Sequence, residues 1–219
     1  MGETEMNKVE LLSPAGNFES LVSAVQNGAD SVYFGASRFN ARINGKNFDD
    51  QELIKAITYA KLRNVKTYLT LNTLIRNDEM EDVLKTLEVA YKAGVDSVIV
   101  QDLGLAKKVL EMFPNLDVHG STQMTVHNLD GVKLLERLGV KRVVLARELP
   151  MDEIEHICKN TKTEIEVFAH GALCISYSGQ CLMSSMIGGR SGNRGGCAGT
   201  CRLPYELTQN NAQQARCLL

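Results

Sequence analysis

Four cysteines spaced Cys174-x6-Cys181-x15-Cys197-x3-Cys201 are the residues of this chain best suited to chemistry. Thiolates are soft donors. Four of them on one segment suit a tetrahedral sulfur site holding structural zinc or an iron–sulfur cluster. Zinc knuckles repeat a C-x2–4-C spacing, and only Cys197 and Cys201 meet it. Gly195, Gly196 and Gly199 flank that pair. Backbone amides can therefore approach the sulfurs and stabilise negative charge. Buried structural thiols and disulfides are the competing readings, the latter disfavoured in a reducing compartment. Cys158 falls on a helical pattern, which places it in the core, and Cys217 lies in a polar tail.

A second set of reactive side chains sits where β-rich runs end. It includes Asn72, Gln101-Asp102, the stretch from His119 to Gln123, Arg147-Glu148 and His170. A turn or a helix cap explains any one of them; their convergence on one rim would be a site. Arg147 follows RVVLA directly, and its planar fork suits a carboxylate or phosphate. Arg190, Arg194 and Arg202 lie among glycines near the cysteines, either as a solvated loop or as a phosphate-gripping one. Standard proteolytic machinery is missing. There is no HExxH helix and no Gly-x-Ser-x-Gly elbow. A Cys–His protease could use Cys174 with His170, His119 or His127, but four clustered cysteines exceed what such a nucleophile needs.

These groups need elements to hold them. Short runs rich in Val, Ile, Leu and Tyr predict strands over residues 8–12, 31–35, 65–72, 97–101, 116–119, 142–146 and 164–170. Helical patterns lie at about 17–27, 50–63, 79–93, 103–112, 128–138 and 151–159. In the third, Met80, Val83, Leu84, Leu87, Ala90 and Tyr91 form one buried face, with Asn77 and Asp78 as cap candidates. The segments NGADSVYFG, KAGVDSVIV and RLGVKRVVL share a logic. Each ends a helix at Gly28, Gly94 or Gly139, a residue that can take the left-handed cap conformation, and then enters a strand. LRNVKTYLT fits the same pattern with Asn64 at the glycine position. Repeated strand–helix units predict a parallel α/β sheet, and seven of them favour a TIM-like (β/α) barrel over an open sheet. Such a barrel works at the carboxyl ends of its strands.

Length and composition frame this reading. The chain has 219 residues, 44% hydrophobic and 23% charged, with a net charge of −2. That excludes collagen-like and wholly disordered classes and gives no global attraction to nucleic acid. No apolar run reaches about 18 residues, so no membrane helix is expected. The polar MGETEMNKVE start lacks a signal core, which points to the cytoplasm. The organisation expected is (β/α) units over residues 1–170 and a Cys/Gly-rich loop over 171–202. Residues 203–219 then form an eighth strand with an altered tail, leaving the barrel incomplete at its C-terminal end.

The stretch EVFAHGALCISYSGQCLMSS makes the reading specific. Its Glu166, Phe168, Gly171, Ala172, Cys174, Gly179, Cys181 and Ser184 resemble the signature of the collagenase-like peptidase family, peptidase family U32. ELLSPAGNFESL, VQDLGLA, HGSTQMTVHN, VLARELP and GGRSGNRGGCAGTCRLPYEL extend the resemblance over nearly the whole chain. The resemblance implies a TIM-like barrel and a four-iron–four-sulfur cluster. Cys174, Cys181 and Cys197 match three ligands, with the fourth either Cys201 or a cysteine beyond the chain. It also implies oxygen-independent hydroxylation, with prephenate as a hydroxyl source and an RNA base, ribosomal cytidine or transfer RNA uridine, as acceptor. The GGRSGNRGGCAGTCRLPYEL stretch is most similar to the branch acting on ribosomal RNA. On this footing Arg147, Glu148 and His170 are the catalytic candidates. Arg42, Asn72 and Gln123 are the substrate-binding candidates, with Arg147 and Arg42 suited to the two carboxylates of prephenate. A metal-dependent collagenase-like endopeptidase and a non-catalytic truncated fragment are the alternatives.

Overall fold

Left-handed corners set the rhythm of the chain. Gly94 (φ 87°) caps helix α3 (Met80–Ala93) and Gly139 (φ 94°) caps α5 (Leu129–Leu138). Gly28 (φ 88°) follows α1 (Phe18–Gln26), and Asn64 (φ 56°) follows α2 (Asp50–Lys61). After each corner the chain enters a strand: β2 (Ser31–Gly35), β3 (Lys66–Leu71), β4 (Ser97–Val100) and β6 (Arg142–Val144). A Cβ is disfavoured in this region, which suits glycine; asparagine tolerates it better than most other residues. The other helix starts are equally local. Asp49 and Glu52 form a reciprocal capping box on α2, and Asp102 caps α4 (Leu103–Met112) through the Leu105 amide.

The computed structural model describes residues 9–41, 45–209 and 212–218. Strands β1 (Leu12–Pro14), β5 (Asp117–Gly120) and β7 (Glu164–Glu166) complete a single seven-stranded sheet in the order β1-β2-β3-β4-β5-β6-β7. The pairs β1–β2, β2–β3, β3–β4 and β6–β7 are parallel. A doubly wound sheet would reverse its strand order at a switch point. Sequential order with helices between strands is instead the winding of a (β/α) barrel, with seven strands of the usual eight among the described residues.

The chain forms two compact units, Met1–His119 and Gly120–Leu219. In the first, β2, β3 and β4 bury Val32, Phe34, Leu69, Leu71, Val98 and Val100. Helix α2 contributes Leu53, Ala56, Ile57 and Ala60 to the core, and α3 contributes Val83, Leu87 and Ala90. At the strand starts Asp96 accepts from the Thr67 amide (2.8 Å) and hydroxyl (2.9 Å). Glu10 accepts from Ser31 Oγ (2.8 Å) and from the Tyr68 hydroxyl, and pairs with Lys66. His119 is buried there, 3.3 Å from Ser97 Oγ through Nδ1 and edge-on to the Tyr68 ring. Its environment is that of a satisfied core histidine, which removes it as a base for a cysteine nucleophile.

In the second unit Arg142 is buried and bonded to Glu164 Oε2 through Nε (2.8 Å) and Nη2 (2.6 Å), with Glu166 at 3.6 Å. Arg142 and Glu164 are register partners of β6 and β7. Four expectations change. Cys158 is exposed on α6 (Met151–Asn160), because the residue beside it, Ile157, takes the inward position. Asn77 and Asp78 do not cap α3; they lie in a 3-10 turn, where Glu79 accepts from the Arg76 amide and Asp78 pairs with Arg76. Strand β7 stops at Glu166 rather than reaching residue 170, since it pairs on one side only. Residues Pro204–Gln209 are a strand, β8, but not an eighth barrel strand. They pair antiparallel with β9 (Ala212–Leu218) in a separate sheet.

Candidate active site

Each unit carries candidate residues, taken in turn. In the first unit Asn72 follows β3 directly, and its Oδ1 accepts from the Ala41 amide at 2.9 Å. Asn72 therefore holds the loop after β2 rather than standing open. Arg42 lies outside the described residues. After β4, Gln101 is buried with its Oε1 lacking a hydrogen-bond partner among the described residues. Asp102 is committed to the Leu105 and Ile75 amides.

In the second unit the loop after β7 carries the cysteines. Its order comes from short turns: 3-10 turns at Tyr177–Gly179, Gly192–Arg194 and Thr200–Arg202, and a helix α7 (Met183–Gly188). Small and glycine residues allow these tight reversals, with Gly179, Gly189, Gly195 and Gly199 at positive φ.

Glu148 ties this loop to the end of β6. One carboxylate oxygen accepts from the Ser178 amide (2.9 Å) and the other from the Ser178 hydroxyl (3.0 Å). Partial burial raises the carboxyl pKa, but the two Ser178 hydrogen bonds and neighbouring Arg147 more than offset this and hold it below its ordinary value. An ionised carboxylate with both oxygens engaged is well suited to gripping a loop and poorly suited to donating a proton. Ser178 is fully buried at φ 40°, a strained conformation for a non-glycine residue, so the contact imposes a specific shape.

Gln123 joins the same arrangement through its backbone. Its carbonyl accepts from Gln180 Nε2 at 2.6 Å, while its own Oε1 is buried without a partner among the described residues. Arg147 lies with its guanidinium 5.8 Å from the Phe168 ring centre and Nη1 3.5 Å from the Ala172 carbonyl. His170 is exposed at the start of the loop.

Of the four cysteines, Cys181 and Cys197 converge on one structured turn. The Cys181 carbonyl and the Cys197 Cβ both border Gly192. Each sulfur accepts from a backbone amide, Met183 N to Cys181 and Gly199 N to Cys197, both at 3.3 Å. Ser184, buried, accepts from the Ala198 amide and lies 3.9 Å from the Cys197 sulfur. Cys174 is exposed, and no group of three His, Cys, Asp or Glu stands close enough for a metal among the described residues. The donor chemistry suits a thiolate-bound cluster; the arrangement does not form its ligand shell. Sequence reading missed Ser178 as the partner of Glu148. Its burial in the turn depends on a contact 30 residues away, and no local pattern announces it.

The fold and this loop define the class: a (β/α) barrel protein with a cysteine-bearing segment after its seventh strand. The chain belongs to peptidase family U32, whose model matches residues 16–218. It is 40% identical over 208 residues to the 23S rRNA 5-hydroxycytidine C2501 synthase of Escherichia coli, covering 94% of this chain and 31% of that protein. It is 39% identical over 208 residues to tRNA hydroxylation protein P1 of Bacillus subtilis, covering 95% of this chain and 49% of that protein. The chain thus spans half or less of these relatives' length. Among solved structures, the U32 peptidase Mk0906 superposes with a TM-score of 0.64 at 19% identity, over 76% of this chain and 71% of that one. That likeness supports the barrel fold.

Proposed function

We propose that this chain is the barrel portion of an enzyme that hydroxylates an RNA base, a ribosomal cytidine or a transfer RNA uridine, without molecular oxygen. The observation that carries the reading is similarity to RNA-hydroxylation proteins along more than nine-tenths of the chain. The proposed cofactor is a four-iron–four-sulfur cluster on Cys174, Cys181, Cys197 and Cys201, with prephenate as hydroxyl donor. Support for the cluster is the donor chemistry of the four thiols and the amides already directed at two of them. The four thiols do not gather into one ligand shell among the described residues. The residues themselves offer a cationic Arg147 for an anionic substrate, a loop locked by Glu148, and a buried acceptor at Gln123. No helix among the described residues is long and apolar enough to cross a membrane, which fits a cytoplasmic site of action.

Deletion of the gene, followed by mass spectrometry of RNA nucleosides, tests the reading. Loss of one hydroxylated nucleoside is expected. Anaerobically purified protein should be brown, absorb near about 400 nm and carry about four irons. A colourless protein that cleaves gelatin and stops with chelator would establish the endopeptidase instead, and a folded, inert, iron-free chain would establish a non-catalytic fragment. Unchanged iron content in Cys174→Ser and Cys181→Ser would overturn the ligand assignment.

A further inference from the structure

One surface of the second unit sets arginines beside an exposed aromatic ring. Between residues 167 and 205 the chain has three arginines and no Asp, Glu or Lys, although its overall charge is −2. The run 167–175 is exposed throughout, and Phe168 is 49% exposed. Exposure of a large aromatic carries a solvation cost that a ligand would relieve.

Arg202 and Arg147 meet the same short run. Arg147 Nη1 lies 3.5 Å from the Ala172 carbonyl, and Arg202 Nη2 donates to the next carbonyl, Leu173, at 3.1 Å. Two guanidiniums are thus held on consecutive carbonyls, and the first lies over the face of the Phe168 ring. The carboxylate beside Arg147 in sequence, Glu148, is engaged by Ser178. Among the described residues one hydrogen bond engages each guanidinium, and each Arg has five donors with which to meet an incoming anion. The ring can meet a planar group, and paired guanidiniums can meet a phosphate.

We infer that Arg147, Arg202 and Phe168 form a binding platform for single-stranded RNA, with a base stacked on Phe168 and the adjoining phosphate held between the two arginines. The inference rests on the RNA reading above and assigns it a contact surface. An aromatic beside cations is the arrangement that binds single strands with little sequence preference, since every base has a stacking face. A purely apolar protein partner would leave the arginines unmatched, and a double-stranded helix would not offer an unstacked base.

The test is fluorescence anisotropy of a labelled single-stranded oligouridine, about a dozen nucleotides long, titrated with the full chain at several salt concentrations. Binding is expected, with log affinity against log salt falling by about 0.7 per phosphate contact. Arg202→Ala and Arg147→Ala should each weaken binding about tenfold and flatten that slope. Phe168→Ala should weaken binding about tenfold without altering the slope, and Phe168→Trp should restore it. Circular dichroism melts of each variant separate these losses from unfolding. Wild-type affinity in all three alanine variants would overturn the platform. So would saturable prephenate binding that the arginine variants abolish while RNA binding persists, which would make the pair a carboxylate site. The nucleoside profile of the deletion strain reports on the broader reading separately: a missing nucleoside beside unaltered variants sinks the platform alone, and an unaltered profile sinks the RNA reading with it.

Discussion

Glu148 shows how one residue changes meaning once its neighbours are known. Beside Arg147 in sequence it has the character of an acid–base group; in the fold it grips Ser178 with both oxygens. Its depressed pKa sets the sign of a pH effect. A carboxyl with a folded pKa below its unfolded one stabilises the fold above the unfolded value, and the contribution is lost as pH falls through the folded one. Amide protection of Ser178, corrected for intrinsic exchange, should therefore drop on acidification through the carboxylate range. Glu148→Gln should show no such step. Ser178→Ala removes one of the two hydrogen bonds and should cost about 1 kcal/mol in denaturant unfolding. A protection profile that ignores pH would mean the carboxylate does not hold the turn.

At the scale of elements, stability lies in corners, caps and strand pairs. Gly94→Ala places a Cβ at φ 87° and within 2.4 Å of Lys61 Nζ. The flexible lysine can move, so the backbone conformation sets the cost, about 1 kcal/mol in thermal melts. Asp49→Ala breaks the capping box of α2 and should cost a similar amount, about 1 kcal/mol. Arg142→Met leaves Glu164 and Glu166 without their shared partner between β6 and β7. Since Glu164 is nearly half exposed, the loss should be about 2 kcal/mol rather than the larger figure for a fully buried pair. Urea titrations of these variants should show shifted midpoints with an unchanged slope, as expected if only native contacts are lost.

For the whole molecule, charge is distributed unevenly. A chain of net −2 keeps a 39-residue surface segment free of carboxylates, so association with RNA should be weak and strongly salt-dependent. Four arginines, 147, 190, 194 and 202, predict a limiting slope of about −3 for a single strand. A slope near zero between about 50 and 200 mM salt would show that phosphates are not what this surface meets.

Much of the fold was legible from the residues because it rests on local physics. Helix faces, caps and the left-handed corners at Gly28, Asn64, Gly94 and Gly139 are set by neighbours a few positions apart. Repetition of that local unit is enough to dictate the winding of the sheet. The cysteine spacing likewise marked the loop that carries the candidate chemistry. What the sequence could not determine depends on distant contacts. Ser178 meets Glu148, Arg202 meets the carbonyl of Leu173, and Ile157 rather than Cys158 turns inward. Tertiary structure alone decided that β8 pairs with β9 instead of extending the barrel, and that two cysteines converge while Cys174 stays exposed. These choices follow from which groups folding brings within hydrogen-bonding reach, and separation along the chain carries no record of that distance.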